Sequence, residues 1–114
     1  MYGFGMSRHL QEPSFLILTA LASGPQHGYA VIKDVDAISG GRVAMRVGTL
    51  YGALDRLAVA GLVEVDREEV VDSRLRRYYR LTEKGRGVLQ VEAERTRDQA
   101  RAALVRLGVA GALA

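Results

Sequence analysis

The sequence predicts a mostly α-helical domain with one small β-hairpin. Four segments carry apolar residues at helical spacing, two strand-like segments alternate between apolar and polar residues, and glycine or proline separates these elements. The chain of 114 residues is long enough for one compact core. Its 48% hydrophobic and 25% charged residues are ordinary for a folded domain.

The first two helices are bounded by proline and glycine. Pro13 opens the first helix, because the first turn does not need its missing backbone N–H, and the apolar residues 14–21 make this helix buried. Gly24-Pro25 ends it, since proline cannot continue the helical hydrogen bonds. A second helix is expected over residues 28–38. Its apolar side carries Tyr29, Ile32 and Val35.

The third helix, expected over residues 47–60, carries several small residues on its outer face. Its core stripe consists of Leu50, Leu54, Leu57 and Ala58. The opposite side carries Gly48, Gly52, Arg56 and Val59, with Thr49 and Asp55 on the flanks and Tyr51 at one edge. Glycine in a helix is less stable than alanine by about 1 kcal/mol, so two outward glycines indicate that another molecule approaches this backbone closely. Alternatively, Gly48 lies in the first turn, where glycine is less destabilising, and Gly52 accommodates a neighbouring loop.

A β-hairpin follows and presents arginine. Val63 and Val65 alternate with acidic residues, and a turn is expected at Asp72-Ser73. The return strand has Leu75, Tyr79 and Leu81 on one face, and Arg74, Arg76, Tyr78 and Arg80 on the other. With Arg77, these arginines can neutralise phosphates. The alternative is a solvated sheet face on which the arginines pair with Glu64, Asp66, Glu68 and Glu69 of the first strand.

The last predicted helix begins at the N-cap Thr82, has Glu83 in its first turn, and extends to about Leu107 before Gly108. Small and apolar residues recur on it at steps of four and three, which predicts packing on a partner chain and on the first helix. This dimer seam consists of Leu89, Ala93, Thr96, Ala100, Ala103 and Leu107.

Three helices, a hairpin and a further helix follow the order of a winged helix-turn-helix domain with an added C-terminal dimerisation helix. We assign residues 1–81 to the DNA-binding unit with its N-terminal helix, and residues 82–114 to the dimerisation helix and tail, within one compact unit. The third helix of this fold enters the major groove of double-stranded DNA. Expected DNA contacts are Gly48, Thr49, Tyr51, Gly52 and Arg56 on the helix, and Arg74, Arg76 and Arg77 on the hairpin.

Composition argues against several other classes of protein. The chain has no cysteine, and His9 and His27 lie in no metal-ligand spacing, so neither a metal nor a cofactor is expected. No pattern of catalytic residues or phosphate-binding loop indicates an enzyme. The first eleven residues lack the apolar segment of a signal peptide, and no apolar run reaches the length of about 18 residues that a membrane helix needs. We therefore expect a cytoplasmic protein without a membrane partner.

Four blocks of sequence, in the same order and spacing, resemble the PadR family of bacterial regulators. They are residues 17–29 with Gly28-Tyr29, residues 47–57, Gly61-Leu62, and residues 76–85, and the likeness extends over about residues 14–90. The resemblance implies a two-fold dimer formed by the C-terminal helix, a palindromic operator, and usually repression. It also implies release by a small aromatic or cationic effector near the dimer interface. The sequence departs from the family in two ways. Gly52 occupies a position where the family frequently has proline, and the sequence contains no tryptophan.

A winged helix can also serve only for protein contacts, because a fold does not determine its function. An acidic third helix and a neutralised hairpin would favour that function. The third helix has one acid, Asp55, beside Arg56, and the second strand of the hairpin is basic. The sequence therefore favours a DNA-binding regulator over a protein-interaction module.

Overall fold

Three short helices, a three-stranded antiparallel sheet and one long helix make up the computed structural model, which describes residues 10–109 and 111. The predictions for His9 and for the tail at residues 110 and 112–114 lie outside this range. The elements are α1 (Glu12–Leu21), β1 (Gln26–His27), α2 (Gly28–Ile38), α3 (Val47–Val59), β2 (Val63–Val71), β3 (Arg74–Leu81) and α4 (Glu83–Arg106). The predicted winged helix-turn-helix fold with a C-terminal helix is confirmed.

The sheet has the order β1-β3-β2, and its first strand was not predicted. β1 has only two residues, which pair with Tyr79 and Tyr78 of β3. β2 and β3 form the predicted hairpin. Asp72 and Ser73 both have positive φ, 51° and 64°, as a type I′ turn requires, and such a turn matches the right-handed twist of the two strands. The short β1 therefore connects the hairpin to the start of α2.

The core lies between α1, α2, α3 and the end of the hairpin nearest the helices. Apolar side chains from all of these elements are fully buried, and Tyr79 and Leu81 of β3 pack beside them. The largest fully buried side chains are Ile17, Leu18, Leu21, Val31, Val35, Leu50, Leu54, Leu57, Leu62 and Val63.

The buried sides of α2 and α3 differ from the prediction. Tyr29 is 64% exposed, and Val31 is buried one turn before Val35. Two residues that are three positions apart on a helix are about 60° short of a full turn from each other. Tyr29 and Val35 are two such steps apart, so they lie on different sides of α2. In α3, Ala58 is exposed and Ala53 is buried, so the buried stripe extends to the Ala53 side of the leucines and not to the Ala58 side.

The apolar face of the hairpin is buried only near the helices. Leu75 was predicted on the same face as Tyr79 and Leu81, but it is 62% exposed. Val65 is also exposed, whereas Val63 is buried. Residues alternate as predicted along β3, whereas β2 is irregular between Val65 and Arg67. The distal half of the hairpin extends beyond the core, so its apolar side chains Val70 and Leu75 are exposed.

The start of α4 packs tightly on the chain between α3 and β2. The Thr82 hydroxyl accepts a hydrogen bond from the Gly85 backbone N–H at 2.9 Å, which confirms the predicted cap. A Cβ at Gly85 would overlap the carbonyl oxygen of Leu62. That oxygen also accepts a hydrogen bond from the backbone N–H of Thr82 at 3.1 Å. Glycine is therefore required where α4 leaves the sheet.

We expect Gly85→Ala to destabilise the protein by roughly 1–3 kcal/mol, since the added methyl group meets backbone that cannot rotate away. Gly87→Ala is the matched control, because a Cβ there has no other atom within 4 Å. Alanine should stabilise α4 at that position by about 0.5–1 kcal/mol. Urea denaturation of both variants measures the difference, and equal effects would contradict the packing described for Gly85.

Candidate nucleic-acid interface

The outward face of α3 is exposed and carries little bulk. Gly48, Thr49 and Arg56 are exposed, and Gly52 is half-buried. A Cβ at Gly48 would meet no atom within 4 Å, and at Gly52 it would meet only the Arg56 guanidinium, at 3.7 Å. Among the described residues no loop covers Gly52, and the packing of the chain itself requires neither glycine. This face is accessible to an external partner.

Tyr51 lies at the boundary between α3, α2 and the sheet, and it is 36% exposed. Its hydroxyl oxygen would be 2.5 Å from a Cβ at Gly28, so the absence of a side chain at Gly28 lets the tyrosine ring lie against the first turn of α2. The ring centre is also 6.3 Å from that of Tyr79. These contacts hold α3 in a defined position relative to β3.

An open groove of about 470 Å³ separates the start of α2 from the hairpin. One wall has residues from β1, α2 and α3, among them His27, Tyr29 and Tyr51. The other wall is the distal part of the hairpin and includes Arg74, Arg76 and Arg77. The structure therefore brings one predicted residue of α3 and the three predicted arginines of the hairpin to a single groove.

The arginines of β3 differ in their ion pairs. Arg77 donates to the Glu68 carboxylate at 2.8 Å, and Arg80 donates to Glu64 at 2.7 Å. These two pairs match the solvated sheet face considered as the alternative. Arg74 and Arg76, in contrast, form no ion pair with any residue that the structure describes. Two of the predicted arginines therefore carry positive charge that the hairpin does not neutralise.

Arg67 of β2 was not among the residues predicted from the sequence. Its guanidinium carbon lies 3.9 Å from the centre of the Tyr78 ring, and its Nε donates to Glu69 at 3.0 Å. Hydrogen bonds to Glu69 and then Asp66 raise the pKa of Arg67, and the hydrogen bond from Arg67 is the main reason that the pKa of Glu69 is lowered. Counting outward from the Asp72-Ser73 turn predicts that Arg67 lies opposite Tyr78, as observed.

His27 connects the groove to the start of α2. Its Nδ1 accepts a hydrogen bond from the Ala30 backbone N–H at 3.4 Å, and its ring meets the Tyr78 ring edge-on at 5.4 Å. Burial, and then the positive charge of Arg76, lower the pKa of His27. The neutral imidazole is therefore the form that caps α2.

The predicted dimer seam lies along α4. Leu89 is half-buried against the core of its own chain. The other five predicted residues are exposed, and Leu107 has 76% of its surface accessible. They are Ala93, Thr96, Ala100, Ala103 and Leu107. The second half of α4 therefore has a stripe of small and apolar residues that its own chain does not cover.

Residues 10–109 and 111 contain no group of three or more histidine, cysteine or acidic side chains that could hold a metal ion. None of their helices is both long and apolar enough to cross a membrane.

The fold is that of a winged helix-turn-helix domain. Residues 17–91, well over half of the chain, match the family model described as the transcriptional regulator PadR-like family. The chain belongs to that family. The members of that family are transcriptional regulators rather than enzymes.

Individual relatives agree with this assignment. A PadR family transcription regulator from hypervirulent Clostridium difficile has a TM-score of 0.70 and 21% identity, with 85% of this chain and 98% of that chain covered. Bacillus subtilis PadR, in complex with operator DNA, has a TM-score of 0.62 and 21% identity, with 70% and 45% covered. An uncharacterized 37.1 kDa protein in transposon TN4556 of Streptomyces fradiae is 40% identical over 82 residues, or 72% of this chain. The chain spans 22% of the length of that relative.

Protonation of His27 should destabilise the fold. Because the folded-state pKa is lowered, the stability from the neutral cap is complete above the unfolded value of about 6.5 and is lost as the pH falls below it. The comparison is the change in unfolding free energy between neutral and mildly acidic pH, for the parent and for His27→Asn, which retains a capping oxygen but does not titrate. The parent should lose more stability, and equal losses would contradict this role of His27.

Proposed function

We propose that the protein is a cytoplasmic repressor that binds a palindromic operator in double-stranded DNA as a homodimer. One observation carries the DNA-binding part: Tyr51, at the edge of α3, borders the same groove as Arg74 and Arg76, two arginines that no described acid pairs with. The operator complex of Bacillus subtilis PadR, which shares the fold, supports DNA as the partner. The resemblance to the PadR family supports repression.

The small residues of α3 let this helix lie in the major groove of DNA, which is wide enough for one helix. Gly48, Thr49 and Gly52 take this role because Gly48 and Thr49 are exposed, and a Cβ at Gly52 would have only the Arg56 guanidinium within 4 Å. Arg56, one turn after Gly52, reads a guanine edge or contacts a phosphate. Tyr51 donates its hydroxyl to the DNA backbone at the edge of the helix.

On the hairpin, the arginines replace counterions of the DNA backbone. Arg74 and Arg76 are ready for this role, since no acid of the described chain pairs with them. Arg77 contacts a phosphate only after it leaves the Glu68 carboxylate. Breaking that ion pair offsets part of the phosphate contact, so Arg77 adds less to DNA binding than Arg74 or Arg76 does.

A protein-interaction module without DNA binding is the second candidate. It is favoured by the neutralisation of Arg77 and Arg80 by acids, and by Asp55 on the exposed side of α3. DNA is preferred because the arginines that border the groove beside α2 include the two unpaired ones.

The first experiment selects bound duplexes from a random pool and then measures the binding of the selected sequence by fluorescence anisotropy. Arg56→Ala should weaken binding to the selected duplex by about 1–3 kcal/mol if the arginine reads a base. Its affinity for an unrelated duplex should fall much less. Equal losses on both duplexes would assign Arg56 to the backbone, and no selected sequence at all would contradict DNA binding.

The unpaired arginines should account for more of the salt dependence than the paired ones. Replacing Arg74 and Arg76 together with glutamine should reduce the slope of log affinity against log salt by roughly 0.9 for each phosphate that is no longer neutralised. The matched control replaces Arg77 and Arg80, which removes the same charge from the same strand. A control that lowers the slope equally would show that ion pairing in the free protein does not decide which arginines bind DNA.

Dimerisation through α4 positions two copies of α3 on one side of the duplex. Two recognition helices related by a two-fold axis meet half-sites about one helical turn apart. The stripe from Ala93 to Leu107 supports this interface, because small residues allow two helices to approach closely and the chain leaves them exposed.

Leu107→Asp should dissociate the dimer, because it places a charge in the apolar seam. Val91→Asp is the control, since Val91 is also exposed but lies about 160° away from Leu107 around α4. Light scattering distinguishes the two states. A monomeric Val91→Asp variant together with a dimeric Leu107→Asp variant would assign the interface to the other side of the helix.

Release by a small molecule is proposed at the junction of α1 and α4, near the dimer interface. The backbone N–H at Leu10, before α1, donates to the Glu92 carboxylate of α4 at 3.0 Å, and this carboxylate is buried. A ligand that separates the two helices changes the angle of α4. It thereby changes the distance between the two recognition helices of the dimer, and operator binding weakens.

A further inference from the structure

Glu69 and Arg76 lie directly opposite each other in the β2–β3 ladder. Opposite charges at such positions attract each other, because their Cβ atoms are only about 5 Å apart. Arg76 nevertheless forms no direct ion pair among the residues that the structure describes, and Glu69 accepts from Arg67 instead, at 3.0 Å. Hydrogen bonds from Arg67 and then Tyr78 lower the pKa of Glu69, and the charge of Arg76 contributes less than they do. The acid nearest to Arg76 across the ladder is thus bound by a different arginine.

Three contacts hold Arg67 in this position. Its guanidinium lies over the Tyr78 ring, its Nε donates to Glu69, and its Nη1 donates to Asp66 at 3.0 Å. Tyr78 is in turn fixed, because its backbone pairs with His27 of β1. A planar guanidinium can stack on a ring and donate to two acids at once.

We propose that Arg67 is a positioning residue for DNA binding: it holds the Glu69 carboxylate and so leaves Arg76 free to neutralise a phosphate. This inference rests on the proposed function. Without Arg67, the carboxylate of Glu69 turns to Arg76, and the two residues pair across the ladder. The hairpin then neutralises one phosphate fewer, although Arg76 itself is unchanged.

The first test needs no DNA and follows the pKa of Glu69 by carboxyl carbon NMR. In the Arg67→Gln variant the pKa of Glu69 should stay low, because Arg76 replaces Arg67, and it should rise when Arg76→Gln is added. In the parent, Arg76→Gln should change the pKa of Glu69 much less. If Arg76→Gln shifts the pKa equally in both backgrounds, no exchange of partners occurs and the inference is wrong.

The second test measures the salt dependence of binding to a labelled duplex long enough for two half-sites. Arg67→Gln should reduce the slope of log affinity against log salt by roughly 0.9 per hairpin bound. Adding Glu69→Gln should restore it, because the amide cannot hold Arg76 as an ion pair. A distorted hairpin, or a phosphate bound by Arg67 itself in the parent, would give no such rescue and would overturn the inference.

The rescue must depend on Arg76. In a background that already carries Arg76→Gln, the Arg67→Gln variants with and without Glu69→Gln should have the same slope. A rescue that persists there would reflect only the removal of negative charge, and it would also overturn the proposal. If the parent binds no duplex, the proposed function is wrong and the phosphate role of Arg76 is wrong with it, whatever the carboxyl titration shows.

Discussion

The pairing of β1 with β3 is the constraint on which the rest of the surface depends. Only two residues of β1 take part, and they pair with Tyr79 and Tyr78. Aromatic contacts reinforce this short ladder: His27 meets Tyr78, and Tyr51 of α3 meets Tyr79. Each such pair contributes about 0.5–1.5 kcal/mol beyond its buried area. The hairpin is therefore attached to α2 and α3, and its arginines lie beside the start of α2 and the Tyr51 edge of α3.

The ion pairs of the hairpin determine which arginines are available to a partner more than they stabilise the fold. Its ion pairs are exposed, and such pairs add little to the free energy of folding. Their consequence is that each acid occupies a particular arginine. Glu68 holds Arg77, and Glu69 is bound by Arg67. Within the hairpin, Arg74 and Arg76 have no ion pair with any described residue, and both lie next to the groove.

Most of the fold could be predicted from the sequence, because its boundaries depend on local chemistry. Pro13 at the start of α1 and Thr82 at the cap of α4 act within one helical turn. β1 could not be predicted, since two residues show no alternation and pair only through tertiary structure. The burial of Val31 instead of Tyr29 likewise depends on which side of α2 meets the neighbouring helices.

The residue types of the candidate site could be predicted from the sequence, but which acid pairs with which arginine could not. The outer face of small residues on α3 follows from Gly48, Gly52 and their spacing. Which arginine is neutralised depends on side-chain geometry across the ladder, and composition contains no information about it. The need for glycine at position 28 arises from a Tyr51 ring that is distant in sequence.

We propose that α3 and the hairpin together form one surface for a duplex. Chemical-shift mapping by NMR during titration with the selected duplex tests it directly. Backbone amides of Gly48, Thr49 and Gly52 and those of Arg74 and Arg76 should shift together, at the same DNA concentration, while that of Gly87 on α4 should not. Shifts confined to one of the two elements, or concentrated on α4, would contradict the account.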